Sequence, residues 1–315
     1  MTGRIGVLGA GGMGSAFAAH LARAGSDVVL IGRGGAHIRA VAAGDLRVVP
    51  PDGEPWAVRV PAAVEGTDLP PSSVDVLVVL TKTFDTAVAT AGVAHALTPD
   101  GVAVSLQNGL GNDTALARAV GSSRSLVGVT TVGATLQEPG TISVSGSTAA
   151  GGSLTHVGAM RSATAESRAD DVAEALTSAG LPTVHVPDVA VPVWGKLALA
   201  VMSPVSSVLR MTVGGVWATP DGRALVEQMF DEVVAVAGTQ GVALDREQAW
   251  AHACHVFAGT GEHYTSMCTD VMKGRPTELA AMAGAVHELA TSAGVPVPVH
   301  ATVLSMLRAQ GVLGA

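Results

Sequence analysis

A short apolar run, Ile5-Gly6-Val7-Leu8, passes directly into Gly9-Ala10-Gly11-Gly12-Met13-Gly14, a Gly-x-Gly-x-x-Gly turn. In a strand-turn-helix setting each glycine has a separate reason: the first for the tight turn, the second for close approach of backbone to phosphates, the third for helix–sheet packing. The helix N-terminus that follows faces an anion with its free N–H groups. The chain carries 39 glycines, so the spacing alone is weak and its setting must support it. Met13, Phe17 and Leu21 recur at helical spacing, Gly25 stops the helix, and Asp27-Val28-Val29-Leu30-Ile31 supplies the next strand. The expectation is a βαβ unit that seats a dinucleotide pyrophosphate on Gly9, Ala10, Gly11, Gly12, Met13 and Gly14.

With 315 residues the chain has room for two domains, each with its own core. Aromatic residues make up only 3%, so the cores are expected to be built from Val, Leu, Ala and Met. The net charge of −8 is spread without basic clusters, which argues against nucleic acid and against a polybasic membrane anchor. Glycines interrupt the apolar N-terminus too often for a signal-peptide core, and no later run reaches the ~18 apolar residues of a membrane span. Cys254 and Cys268 have no metal-type spacing, and His252 and His255 flank Cys254 without a carboxylate to complete a site. The expectations are a cytoplasmic protein and no metal.

Strand-like and helical runs alternate after the first unit: 74–80, a helix through 87–97, then 101–106. This pattern predicts a parallel sheet. The stretch 46–71 is expected to form a small antiparallel excursion, and short alternating runs within 125–158 are expected to finish the sheet as antiparallel strands. A helix near 165–179 and a strand at 183–186 close the first domain. Beyond Pro187 the period-2 alternation stops and the chain reads as helices at about 189–210, 220–240 and 245–258, with two more after Thr277. The fold class is therefore α/β, with a Rossmann-type dinucleotide-binding domain over 1–187 and an all-helical domain over 188–315.

Several residues carry chemistry. The second strand ends Ile31-Gly32-Arg33, with an arginine where many NAD-binding proteins place an acid. A guanidinium there can stack on adenine and bind a 2′-phosphate, which favours NADP. Lys82 follows one strand and is placed for anionic groups of cofactor or substrate, or is a solvated lysine. Asn108 follows another and can orient nicotinamide or substrate, or simply form an Asn-Gly turn. Lys196 stands alone in the apolar segment Trp194-Gly195-Lys196-Leu197-Ala198-Leu199. An ammonium in such surroundings has its pKa lowered toward the range useful for proton transfer; the alternative is a snorkelling side chain at a domain edge. Glu278 is expected in the first turn of a helix, where an acid also compensates the macrodipole. Ser266 reads as a plain N-cap.

Taken in order, Gly9-x-Gly11-x-x-Gly14, Arg33, Leu80-Thr81-Lys82, Gln107-Asn108-Gly109, Trp194-Gly195-Lys196-Leu197, Ser266-Met267-x-x-Asp270 and Gly274-Arg275-Pro276-Thr277-Glu278-Leu279 resemble the ketopantoate reductase family nearly end to end. The resemblance implies NADPH as cofactor and a small 2-keto acid as substrate, in pantothenate biosynthesis. It implies Lys196 and Glu278 as catalytic residues, and Asn108, Lys196, Ser266 and Glu278 as substrate-binding residues. Gly9 to Gly14, Arg33, Lys82 and Asn108 would hold the cofactor. The Met- and Ala-rich helices of the second domain either pair with a copy of themselves in a homodimer or form core. One departure concerns the lysine helix: Ala200 stands where the family carries asparagine, and a second asparagine is replaced by Met202-Ser203-Pro204. Ser203, seven residues after Lys196, would share its helical face and supply part of the missing polarity. The alternatives are a relative that reduces another ketone or an imine, and a non-catalytic NADP-binding protein.

Overall fold

The computed structural model describes residues 3–145, 154–160 and 163–312. The chain divides into two units: one comprises 1–107 and 112–189, the other comprises 190–315 together with the short excursion Asn108–Gly111.

Among the described residues, twelve strands lie in the first unit: β1 (Ile5–Leu8), β2 (Val28–Ile31), β3 (Leu46–Val49), β4 (Trp56–Val58), β5 (Ala62–Ala63), β6 (Val74–Val79), β7 (Leu97–Ser105), β8 (Ser125–Thr130), β9 (Gly133–Glu138), β10 (Thr141–Ser145), β11 (Thr155–Gly158) and β12 (Thr183–His185). Its helices are α1 (Gly12–Arg23), α2 (Ala36–Ala43), α3 (Thr86–Val93), α4 (Asn112–Val120), α5 (Ala163–Glu166) and α6 (Ala169–Ser178). The main sheet has the order β12-β11-β8-β7-β6-β1-β2-β5. All its neighbours pair in parallel except β11 with β8. The order reverses between β1 and β6, which makes the ends of these two strands the switch point where an open α/β sheet holds ligands.

Alternate residues of the central strands feed two separate cores. Val7, Leu30, Val76, Val78, Val102 and Val104 face α1, while Leu8, Ile31, Leu77, Val79 and Ala103 face the opposite side with Val93 of α3 and Leu116 of α4. Burial on both faces explains why these strands read as continuous apolar runs. Helix α1 is buried along almost its whole length, from Gly14 through Ala19 and at Leu21, because a second, four-stranded sheet covers its outer side. That sheet has the order β4-β3-β10-β9. It corrects two expectations: the β9–β10 hairpin does not extend the main sheet, and β3 pairs in parallel with β10 as well as antiparallel with β4. The strand expectation across 146–153 lies outside the described residues. His37 fastens this layer: the Gly140 N–H donates to its Nδ1 at 3.0 Å, so its Nε2–H donates to the Ser15 hydroxyl, 2.8 Å away. Burial lowers the His37 pKa, against a backbone hydrogen bond at Glu138 that raises it.

The second unit is helical: α7 (Ala190–Leu199), α8 (Met202–Leu209), α9 (Val213–Ala218), α10 (Pro220–Thr239), α11 (Arg246–Thr260), α12 (Ser266–Met272), a π-helical turn at Ala280–Gly284, α13 (Ala285–Ala293) and α14 (Pro298–Ala309). Helix α10 is its axis. Thr219 caps it by accepting from the Gly222 N–H at 3.0 Å, Pro220 opens it, and Val226, Met229, Phe230, Val233 and Val236 bury one stripe. On another side of α10, the Glu232 carboxylate accepts the N–H groups of Val299 and His300 at the start of α14, and a ring N–H of His300 at 2.6 Å.

The single helix expected over 189–210 is two. Pro204 has no N–H to offer the Ala200 carbonyl, and its ring crowds that position. The Ser203 N–H bonds Ala200 instead, at 2.9 Å, in a tighter turn. The span 190–209 has the length and composition to cross a membrane, but half of that window is packed inside the unit. Phe17 is fully buried in the first core, so Phe17→Ala is expected to lower unfolding free energy by about 3–5 kcal/mol, read as a fall in the urea midpoint of the first unit.

Candidate active site

The Gly9 to Gly14 turn can be tested atom by atom. Gly9 has φ +113, and a Cβ on it would lie 2.7 Å from the backbone of Leu80 and Thr81. The loop after β1 therefore lies directly against the loop after β6, as only glycine permits. A Cβ on Gly14 would fall 1.9 Å from the Gly9 carbonyl oxygen, so α1 can lie this close to the turn only without a side chain. Gly11 differs, for a Cβ there would meet nothing within 4 Å. It precedes an α1 N-terminus with no side-chain cap and no acid in its first turn. Close packing behind, open space in front and uncapped N–H groups fit a pyrophosphate.

Lys82 follows β6 at the head of a 3-10 turn, Thr83–Asp85. Its loop is gripped by Gln107 at the end of β7. The buried amide donates to the Thr81 carbonyl at 2.8 Å, to the Thr81 hydroxyl at 3.1 Å and to the Thr86 hydroxyl at 2.7 Å, while its oxygen accepts from Ser105 at 2.8 Å. Gln107 and Thr86 were not foreseen as functional; a buried glutamine preceding Asn108 was the available signal. Arg33 leaves the end of β2 with its side chain 81% exposed, and its Nη1 lies 2.9 Å from the Asp85 carboxylate. That acid was also missed, since its partner is distant in sequence.

In the second unit Lys196 sits on α7 between the buried Trp194 and Leu197. The residue keeps some surface open, yet burial of its ammonium lowers the pKa to about 8, against which the negative charge of Glu278 acts. Glu278 is not in the first turn of an α-helix as expected. It occupies the bend before the π-helical turn, where its carbonyl accepts the Met282 N–H at 3.2 Å and the Gly284 N–H reaches back to Leu279 at 2.9 Å. Such one-turn π segments frequently mark functional positions. The excursion Asn108–Gly111 docks on this same turn. The Leu110 N–H donates to the Ala281 carbonyl at 2.8 Å, and Gly109, with φ +79, would place a Cβ 2.4 Å from that oxygen. The residues directly after Asn108 are thus seated on the turn that follows Glu278.

Other expected residues stand apart. Ser266 is the first residue of α12 and exposed, whereas the cap is Thr265, which accepts from Cys268 N–H at 3.2 Å. Ser203 belongs to α8, so the break at Pro204 removes the shared helical face with Lys196. Ala200 packs against the apolar core, beside a cavity of about 10 Å³ lined by Leu197, Val201, Pro204, Met229 and Met282 among others. That is room for one water in a mostly apolar setting, and no substrate enters it.

A glycine turn that fits a pyrophosphate at the switch point of the first unit, and in the second a lysine of lowered pKa with a carboxylate acting on it, are features of a dinucleotide-dependent oxidoreductase. The Ketopantoate reductase PanE/ApbA pattern matches residues 5–160, and the Ketopantoate reductase PanE/ApbA C terminal pattern matches residues 188–311. The chain belongs to the ketopantoate reductase family. It is 33% identical, over 97% of its length and 98% of the relative's, to a 2-dehydropantoate 2-reductase of Halobacterium salinarum. Among solved structures it is similar to a 2-dehydropantoate 2-reductase from Geobacter metallireducens, with TM-score 0.87, 26% identity and coverage of 97% and 99%. It shares its fold with D-mandelate dehydrogenase in a ternary structure with NADH and anilino(oxo)acetate, with TM-score 0.89, 22% identity and coverage of 98% of each chain.

The glycine geometry yields a paired prediction. Gly11→Ala is expected to leave stability within about 0.5 kcal/mol but weaken nucleotide binding, because its methyl enters open space. Gly14→Ala is expected to lower the melting temperature as well, measured by calorimetry beside a nucleotide titration.

Proposed function

We propose that this protein is an NADPH-dependent 2-dehydropantoate 2-reductase, converting the ketone of ketopantoate to the alcohol of pantoate. The observation that carries the reading is Lys196, a cation buried enough to hold its pKa at about 8, with the Glu278 carboxylate acting on it. The residues that would hold the dinucleotide are Gly9 to Gly14, Arg33 and Lys82, with Asn108 toward its nicotinamide end. When bound, the reduced nicotinamide supplies the hydride for the keto carbon.

Lys196 does the rest of the acid chemistry. Its ammonium hydrogen-bonds the ketone oxygen, stabilises the negative charge that develops there and gives up one Nζ proton, leaving a neutral amine that solvent reprotonates. A cation placed where charge develops lowers the barrier more than one in water, and a donor with pKa near working pH transfers its proton readily. Glu278 accepts a hydrogen bond from the substrate hydroxyl, and Asn108 holds the carboxylate side. NADPH is favoured by the exposed Arg33 guanidinium and by the lack of an acid at the end of β2. Ala200 packs in the apolar core and offers no polar contact there, so the support for ketopantoate comes from the relatives that are 2-dehydropantoate 2-reductases.

Loss of nicotinamide absorbance with ketopantoate and NADPH tests the reading, and tight nucleotide binding with no turnover would favour a non-catalytic binding protein. Because the donor is the protonated lysine, the reduction rate is expected to hold below pH about 8 and to fall above it. Lys196→Ala is expected to cut kcat by roughly 10²–10⁴-fold with nucleotide binding kept, and Lys196→Arg to move the alkaline limb upward. Glu278→Ala is expected to raise KM for the keto acid.

A further inference from the structure

The cofactor corner of the first unit contains more acid than a site for a doubly charged phosphate requires. Arg33 is rooted by backbone: Gly32 N–H donates to the Ala63 carbonyl at 3.0 Å, Gly34 N–H to Val64 at 2.8 Å, and Arg33 itself bridges Glu65. Asp85 is equally fixed, its N–H donating to the Lys82 carbonyl at 2.9 Å, and its neighbour Thr86 is held by Gln107. The 2.9 Å ion pair between them is thus set by two anchored loops. A second carboxylate lies close by, since a Cβ on Gly34 would fall 2.4 Å from Glu65 Oε1 and 3.3 Å from the Arg39 guanidinium. Arg39 in turn donates to the Gly34 carbonyl at 2.7 Å. Two arginines are therefore matched by two acids, with Lys82 on the same turn as Asp85.

We propose that Asp85 sets cofactor choice: its carboxylate competes with the adenosine 2′-phosphate for the Arg33 guanidinium and offers an acceptor to a ribose 2′-hydroxyl. This inference rests on the dinucleotide reading of the Gly9 to Gly14 turn. An acid at the 2′-position is the device that favours NAD, and an arginine the device that favours NADP. Here both are present, but the acid comes from the loop after β6 rather than from the end of β2. The phosphate must share or displace a charge already paired, while the hydroxyl meets a carboxylate in place. The protein consequently discriminates weakly, with NADH binding within about ten-fold of NADPH.

Fluorescence titrations of the full chain with NADPH and with NADH test this. Asp85→Asn keeps the shape and removes the charge; it is expected to tighten NADPH about ten-fold while NADH stays within two-fold or weakens. Asp85→Ser should change the ratio in the same direction, and the gain should shrink at high salt, where exposed charges are screened. If both nucleotides bind and neither variant improves NADPH, or either weakens it, Asp85 only orients Arg33 and the proposal is overturned. If neither nucleotide binds the wild-type chain, the dinucleotide reading itself fails, and this inference with it.

Discussion

The contact on which the first unit depends is the one between the Gly9 turn and the loop after β6. A Cβ at Gly9 would lie 2.7 Å from Leu80 and Thr81, so the two strand ends at the switch point are in backbone contact. Once they are, the rest is constrained: α1 must start at Gly12 with its N–H groups unspent, and Gly14 must have no side chain because α1 presses on the Gly9 carbonyl. Gln107 then ties Thr81 and Thr86 to the end of β7. Three of the four hydrogen bonds at this buried amide reach the loop that carries Lys82 and Asp85, which gives charged residues on a loop a fixed position.

In the second unit the corresponding constraint is electrostatic. An ammonium among apolar neighbours is costly, and the structure answers with a lowered pKa and a carboxylate whose charge favours the protonated form. The two effects oppose each other and leave the lysine with a pKa of about 8. The π-helical turn that displays Glu278 also receives Leu110, so an irregular backbone is held in place by a segment inserted from the sheet-forming half of the sequence.

Much of this was legible in the residues. The Gly9 turn and the central strands are local patterns, and Lys196 stood out as a lone charge in an apolar segment. What escaped has a physical cause in each case. The second sheet joins β3 to β10 across a long separation, and such pairing leaves no local trace. The break between α7 and α8 was written in Pro204, whose missing N–H outweighed the helical periodicity around it. Glu278 fits a helix start in composition, but the extra residue per turn of a π segment has no simple signature. Asp85 left no local signal, because its partner Arg33 is distant in sequence.

The most direct measurement follows the hydride itself. With NADPH deuterated at the transferable position of nicotinamide C4 and unlabelled ketopantoate, mass spectrometry and proton NMR of the product locate the label. The expected product is pantoate heavier by one mass unit, with deuterium on the carbinol carbon, and in a parallel reaction with unlabelled NADPH in heavy water none is acquired there. Bound nucleotide with no labelled pantoate formed, at a pH where Lys196 is protonated, would contradict it.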